Sequence, residues 1–261
     1  MIDTVQAALA ALSGTAVGFT LGLIGGGGSI LAVPLMVYVV GVKSPHLAIG
    51  TSALAVAANA LASLANHARA HNVNWRCGGT YALAGVLGAF AGSSLGKAVD
   101  GQKLLFLFAL LMLIVAGLMF RGRGEEGIEG VVCNRDNFPK VASFGFGTGT
   151  LSGFFGIGGG FLIVPGLIAS TAMPIYRAIG TSLVAVSAFG LTTALNYAAS
   201  GLLDWGIAAS FIAGGVLGSI GGTQAAKRLS GSKGTLNTVF ASMIVLVALY
   251  TLYKSWMAIA A

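Results

Sequence analysis

Residues 25–34 read Gly25-Gly26-Gly27-Gly28-Ser29-Ile30-Leu31-Ala32-Val33-Pro34, and residues 156–165 read Gly156-Ile157-Gly158-Gly159-Gly160-Phe161-Leu162-Ile163-Val164-Pro165. In both, a run of glycines interrupts an apolar stretch and a proline follows. A helix broken inside hydrocarbon leaves N–H and C=O groups without partners, at several kcal/mol each, so it persists only where those groups face protein, water or a ligand. The two runs are therefore the prime candidates for a site.

The surrounding composition sets the solvent. Hydrophobic residues make up 56 % of the 261 and charged residues 8 %, against roughly 25 % charged in an ordinary soluble domain. Mean hydropathy is +0.90. The chain reads as an all-α polytopic membrane protein, with several apolar stretches reaching the ~20 residues a spanning helix needs. Met1 to Gln6 carry Asp3 and no cation, so no signal-peptide n-region is expected and the first helix is retained. The net charge of +7 comes from cations placed singly or in pairs at segment ends, which suits membrane orientation and argues against a nucleic-acid partner. Cys77, at a segment start, and Cys133, in a polar loop, are too few and too isolated to report a disulfide framework and are assigned no role.

The chain repeats itself. An offset of 131 superposes Gly14, Gly18, Gly22, Gly25, Gly27, Gly28 and Pro34 on Gly145, Gly149, Gly153, Gly156, Gly158, Gly159 and Pro165. An offset of 130 carries Ala48-Ile49-Gly50-Thr51-Ser52 onto Ala178-Ile179-Gly180-Thr181-Ser182, Asn66 onto Asn196, Trp75 onto Trp205, Gly85-Val86-Leu87-Gly88 onto Gly215-Val216-Leu217-Gly218, and Lys97 onto Lys227. Two copies of one unit, as in many transporters, explain this run of identities. The expected organisation is a first transmembrane repeat over 1–120, a polar linker over 121–140 and a second repeat over 141–261. Each repeat holds five apolar segments, the second of them too short to cross a bilayer as a full helix.

Two symmetries are open. If the first two segments of each copy form one broken span, the repeats are parallel; if they form a re-entrant hairpin followed by three transmembrane helices, the repeats are inverted. With inverted repeats and a cytoplasmic linker, ten cations, among them Arg69, Arg76, Arg177 and Lys227, fall inside and Lys43, Lys97, Lys103 and Lys254 outside; parallel repeats give a tie. The positive-inside rule favours the inverted arrangement.

Glycine rows at spacing four, such as Gly14, Gly18 and Gly22, let helices approach closely where lipid gives no reward for association. The consecutive runs differ. They end one helix and expose the N–H groups that begin the next, and a helix N-terminus carries about half a positive charge plus several free donors. Gly25, Gly26, Gly27, Gly28 and Ser29, with Gly156, Gly158, Gly159 and Gly160, are thus expected to hold a small anion without basic side chains. Thr51-Ser52 and Thr181-Ser182 either donate to that anion or bond back to their own helix carbonyls. Asn66 and Asn196 cap a helix end, bridge helices or contact substrate. Arg177 aligns with Leu47 and His46 with Tyr176, so Arg177 is a candidate for substrate contact or for snorkelling to the headgroups. His67 and His71, four apart, lack a third ligand for a metal, though a coupling proton or cation is conceivable. Gly122-Arg123-Gly124-Glu125-Glu126-Gly127 fits a dinucleotide spacing but lies in the polar linker with no strand before it. Asp3, Asp100 and Asp204 sit apart at segment ends, so no paired carboxylates, cofactor or enzymatic chemistry are expected.

The repeated Gly-x-x-Gly-x-Gly-Gly run with its proline, the Ala-Ile-Gly-Thr-Ser element and the Gly-Val-Leu-Gly segment resemble the sulfite exporter TauE/SafE family over nearly the whole chain. That resemblance implies a multi-pass secondary transporter of the bacterial cytoplasmic membrane moving sulfite or a small organosulfonate such as sulfoacetate. The family's motif falls on Gly22, Gly25, Gly27, Gly28 and Pro34, and on Gly153, Gly156, Gly158, Gly159 and Pro165. Gly26 stands opposite Ile157, and Ser29 opposite Gly160, making the first copy more polar. The alternative in another class is a passive anion channel.

Overall fold

The computed structural model describes residues 3–121, 133, 137–156, 160–229 and 233–260. These are almost entirely helical: α1 (Thr4–Ile24), a 3-10 turn (Gly25–Leu31), α2 (Ala32–Tyr38), α3 (Pro45–Arg69), α4 (Trp75–Lys97), α5 (Gly101–Arg121), α6 (Phe138–Phe155), α7 (Gly160–Thr171), α8 (Ile175–Ala198), α9 (Trp205–Leu229) and α10 (Lys233–Ala260). Five stretches are long and apolar enough to cross a bilayer: Thr4–Tyr38, Pro45–Arg69, Gly101–Leu118, Ile175–Ala198 and Trp205–Arg228. Large apolar side chains such as Leu12, Leu83, Leu217 and Leu246 are exposed, as a lipid-facing surface requires and a water-facing one does not.

The stretch Thr4–Tyr38 is not one rod. Gly28 packs on the backbone of Thr20 and Leu21, and the amide of Gln6 donates to the Val40 carbonyl at 3.2 Å. Thus α1 enters, the chain turns at the glycines, and α2 returns to the face where α1 began. The second copy folds back in the same way, with Gly166 of α7 packed against Thr148 of α6. The turn needs glycine at one position in each hairpin: Gly25 has φ +69° and Gly156 has φ +67°, a region that side-chain-bearing residues avoid.

The glycine rows build the scaffold. Gly14, Gly18 and Gly22 of α1 lie on the backbone of Phe211, Gly215 and Ser219 of α9, while Gly145, Gly149 and Gly153 of α6 lie on Tyr81, Gly85 and Ala89 of α4. Residue numbers rise together in both contacts, so each pair is parallel, and a Cβ at any of these glycines would run into main chain. Between the two pairs α3 and α8 cross antiparallel: Gly50 meets Tyr197 and Leu202, Gly190 meets Ala53 and Ala57, and Gly180 meets Asn72. Threonine hydroxyls pin both ends of this pair. The N–H of Asp204 donates to Thr51 Oγ1 at 3.0 Å, and that of Asn74 to Thr181 Oγ1 at 2.9 Å.

Two details depart from the sequence reading. The cysteines given no role form a disulfide, Cys77 to Cys133, with Cα atoms 5.3 Å apart and a sequence separation of 56. Sequence separation says nothing of this proximity, which brings Cys133 to the start of α4. The second segments of the two copies also differ: α7 is a 12-residue helix from Gly160, whereas in the first copy the glycine run itself is a 3-10 turn and α2 has 7 residues. The physical cause is local, since Ser29 turns its hydroxyl back to the Gly26 carbonyl at 2.9 Å and holds the tighter winding that the unhindered glycines permit.

Candidate functional site

The two re-entrant tips meet. A Cβ on Gly26 would collide with the Cα and carbonyl of Gly160, and one on Gly160 with the main chain of Gly26. Their backbones touch between the antiparallel helices α3 and α8, with Val186 of α8 against Gly26. Each tip also docks on the Ala-Ile-Gly-Thr-Ser element of the other half of the chain. Gly25 faces the Ile179 carbonyl and the Ser182 hydroxyl, and Gly156 faces the Ile49 side chain.

Hydrogen bonds make that docking specific. The Gly26 N–H donates to Ser182 Oγ at 3.1 Å, and Ser182 Oγ donates in turn to the Ile179 carbonyl at 2.7 Å. A donor left over where the 3-10 turn begins is thereby satisfied in a buried place, which is the condition for a helix to break within hydrocarbon. Ser52, at the equivalent place on α3, donates to the Ile49 carbonyl at 3.0 Å. Gly25, Gly26, Gly27, Gly28, Ser29, Thr51, Ser52, Gly160, Thr181 and Ser182 are all buried. Of the two uses open to the hydroxyls, both serines make the bond back to their own helix, Ser182 additionally holding the tip, and both threonines fasten the starts of α9 and α4.

Other candidates stand elsewhere. Gly158 and Gly159 lie outside the described residues. Arg177 is exposed at the start of α8. Asn66 is half-buried near the end of α3. Asn196, near the end of α8, bridges helices: its amide donates to Ser93 and Ser94 of α4 at 2.6 and 3.0 Å, and its Oδ1 accepts from Lys97 at 2.9 Å.

Two participants carried no readable signal, and a third, His67, has a role its spacing from His71 did not indicate. Ile49 and Ile179 seat the tips but look like ordinary core residues in sequence. His67, fully buried, ties α3 to the first hairpin: its Nε2–H donates to the Gly22 carbonyl at 3.1 Å while Nδ1 accepts from Asn72 at 3.1 Å. The tautomer follows from its partners, since a carbonyl only accepts and an amide nitrogen only donates. Among the described residues no three His, Cys, Asp or Glu side chains gather as a metal set.

Two hairpins whose tips meet inside a bundle of long apolar helices define the class as a multi-pass membrane protein. The family described as sulfite exporter TauE/SafE matches residues 10–251, and the chain belongs to it. It is 52 % identical to a probable membrane transporter protein of Xylella fastidiosa (strain 9a5c), over 99 % of this chain and 100 % of that one. A probable membrane transporter protein of Methanocaldococcus jannaschii is 28 % identical over 69 % of this chain and 70 % of its own, and YunE of Bacillus subtilis, of the same description, 23 % over 89 % and 92 %. No solved structure matches.

Proposed function

We propose that the protein is a secondary transporter that carries a small anion, sulfite or a small organosulfonate, across the bacterial cytoplasmic membrane by alternating access. The observation that carries this reading is the contact of Gly26 with Gly160 between antiparallel α3 and α8. Corresponding elements of residues 1–120 and 141–261 then relate by a two-fold axis in the membrane plane, as inverted repeats joined by the 121–140 linker. An axis of that kind lets one arrangement open to either face when the two repeats exchange roles. With the tips touching, the present conformation is closed at its centre.

An anion suits the centre for two reasons. The start of α7 at Gly160 places N–H groups and a positive dipole end at the tips, and the described acidic side chains Asp3, Asp100 and Asp204 all stand at segment ends. Orientation follows from the cations, ten of which fall on the linker side, making that side cytoplasmic.

Counterflow in proteoliposomes tests the reading. A carrier preloaded with unlabelled sulfite accumulates [35S]sulfite transiently against its gradient. A passive anion channel passes the label without such an overshoot, and that outcome would replace the carrier by a channel.

A further inference from the structure

The two ends of the α3/α8 pair are built alike but finished differently. At the linker end, the ring of His67 lies 6.2 Å from that of Tyr176. Both ring nitrogens of His67 have partners, and Asn72 Nδ2 also donates to the Tyr176 carbonyl at 2.8 Å. At the opposite end the residue types are exchanged: Tyr197 takes the place of His67, His46 that of Tyr176, and the rings lie 6.3 Å apart. Here the network stops short. Tyr197 is fully buried, and neither its hydroxyl nor Nδ1 of His46 has a hydrogen-bond partner.

A positive charge stands over the same ring. Lys97 Nζ is 5.9 Å from the centroid of Tyr197. The ammonium donates to the carbonyl and Oδ1 of Asn196 at 3.1 and 2.9 Å and to Ser200 Oγ at 2.9 Å, all neutral acceptors. A half-buried cation that meets no carboxylate among the described residues, over the ring of a tyrosine whose hydroxyl, like Nδ1 of the adjacent His46, has nothing to bond, is an arrangement that the described residues leave incomplete. A cation would be repelled by Lys97. An oxyanion instead receives its charge, accepts the Tyr197 O–H, and accepts from His46 with the ring in its Nδ1–H tautomer.

We propose that Lys97, Tyr197 and His46 form an outer anion subsite, where a small oxyanion pauses between the non-linker face and the glycine tips. The subsite rests on the anion-transport reading above and adds to it a place on the path and the residues that recognise charge there. Exchange of residue types between the two ends makes it one-sided. At the linker end both ring nitrogens of His67 are satisfied by protein, and the Lys97 end is left for the solute.

The test is exchange of [35S]sulfite by the full chain in proteoliposomes, comparing wild type with Tyr197→Phe, Lys97→Gln and Lys97→Arg. Tyr197→Phe removes a hydroxyl that bonds to nothing in the protein, so the melting temperature is not lowered. KM is expected to rise about tenfold at unchanged Vmax, the worth of one hydrogen bond to a charged group. Lys97→Gln raises KM by at least as much, and Lys97→Arg recovers most of it. If Lys97→Gln weakens the α4/α8 contact and fails to insert, Tyr197→Phe decides alone. Wild-type KM in Tyr197→Phe and in any inserted Lys97→Gln protein overturns the subsite, and does so without touching the transport reading if Gly26→Val is inactive in the same assay. Absence of saturable wild-type exchange with sulfite, sulfate, thiosulfate and sulfoacetate overturns both.

Discussion

The side-chain amide of Gln6 reaches the main-chain carbonyl of Val40 across 3.2 Å, joining two points 34 residues apart on one face of the molecule. A broken span would carry these residues to opposite faces. The first prediction is therefore topological. In a background with Cys77 and Cys133 replaced by serine, single cysteines at the exposed positions Asp3 and Lys43 react with an impermeant maleimide from the same side, and one at Arg69 reacts from the other. Labelling of positions 3 and 43 from opposite sides would remove the hairpin.

The glycine rows make a sharper mutational contrast. Gly149 lies on the main chain of Gly85, whereas a Cβ on Gly147, two residues away on the same helix, meets nothing within 4 Å. Gly149→Ala should cost roughly 1–3 kcal/mol through forced separation of α4 and α6. Gly147→Ala should be neutral or slightly stabilising, since alanine favours the helix. Thermal unfolding in detergent measures both, and equal melting temperatures would show that the parallel contact does not limit stability.

Ser182 is the side chain on which the first tip hangs. Its replacement by alanine leaves the Gly26 N–H without an acceptor in a buried site, a loss of about 1–3 kcal/mol. Thr192→Ala removes a hydroxyl bonded only to the Ala188 carbonyl of its own helix, at 2.8 Å, and should change the melting temperature far less. Ser182→Ala should also lower transport, because the tip loses its anchor on α8.

Orientation and the disulfide make a joint prediction. Cys77 and Cys133 pair on the linker side, and disulfides persist in oxidising compartments. If the linker is cytoplasmic, as proposed from the cations, the pair is expected in growing cells as two thiols that join on isolation. Trapping intact cells with acid and counting free thiols by a mass-shifting maleimide should find both reduced. A pair already oxidised in cells would reverse the orientation and place the linker outside.

Much of the architecture was legible because membranes constrain sequence strongly. Gly14, Gly18 and Gly22 recur at helical spacing because backbones touch there, and Gly25 and Gly156 recur because each ends a helix with positive φ. What lay hidden is the partner of each element. Nothing in Ala48 to Ser52 says that it seats the second tip, or in Ala178 to Ser182 that it seats the first, because docking across the two halves depends on how they pack. The same holds for Cys77 with Cys133 and for Lys97 with Asn196, which meet only after folding. The 3-10 winding of the first run was also out of reach, since it turns on one hydroxyl bond from Ser29 to Gly26. Arg177 drew notice as a charge without an equivalent and proves to be exposed, where a long cationic side chain reaches headgroups at little cost.

The central claim is that the touching glycine tips part to pass an anion, and counterflow of [35S]sulfite by Gly26→Val beside wild type tests it most directly. The account predicts a transient overshoot in wild type and none in Gly26→Val, with equal amounts of both proteins inserted, because valine at the contact displaces the main chain of Gly160. An overshoot of wild-type height in Gly26→Val would contradict it.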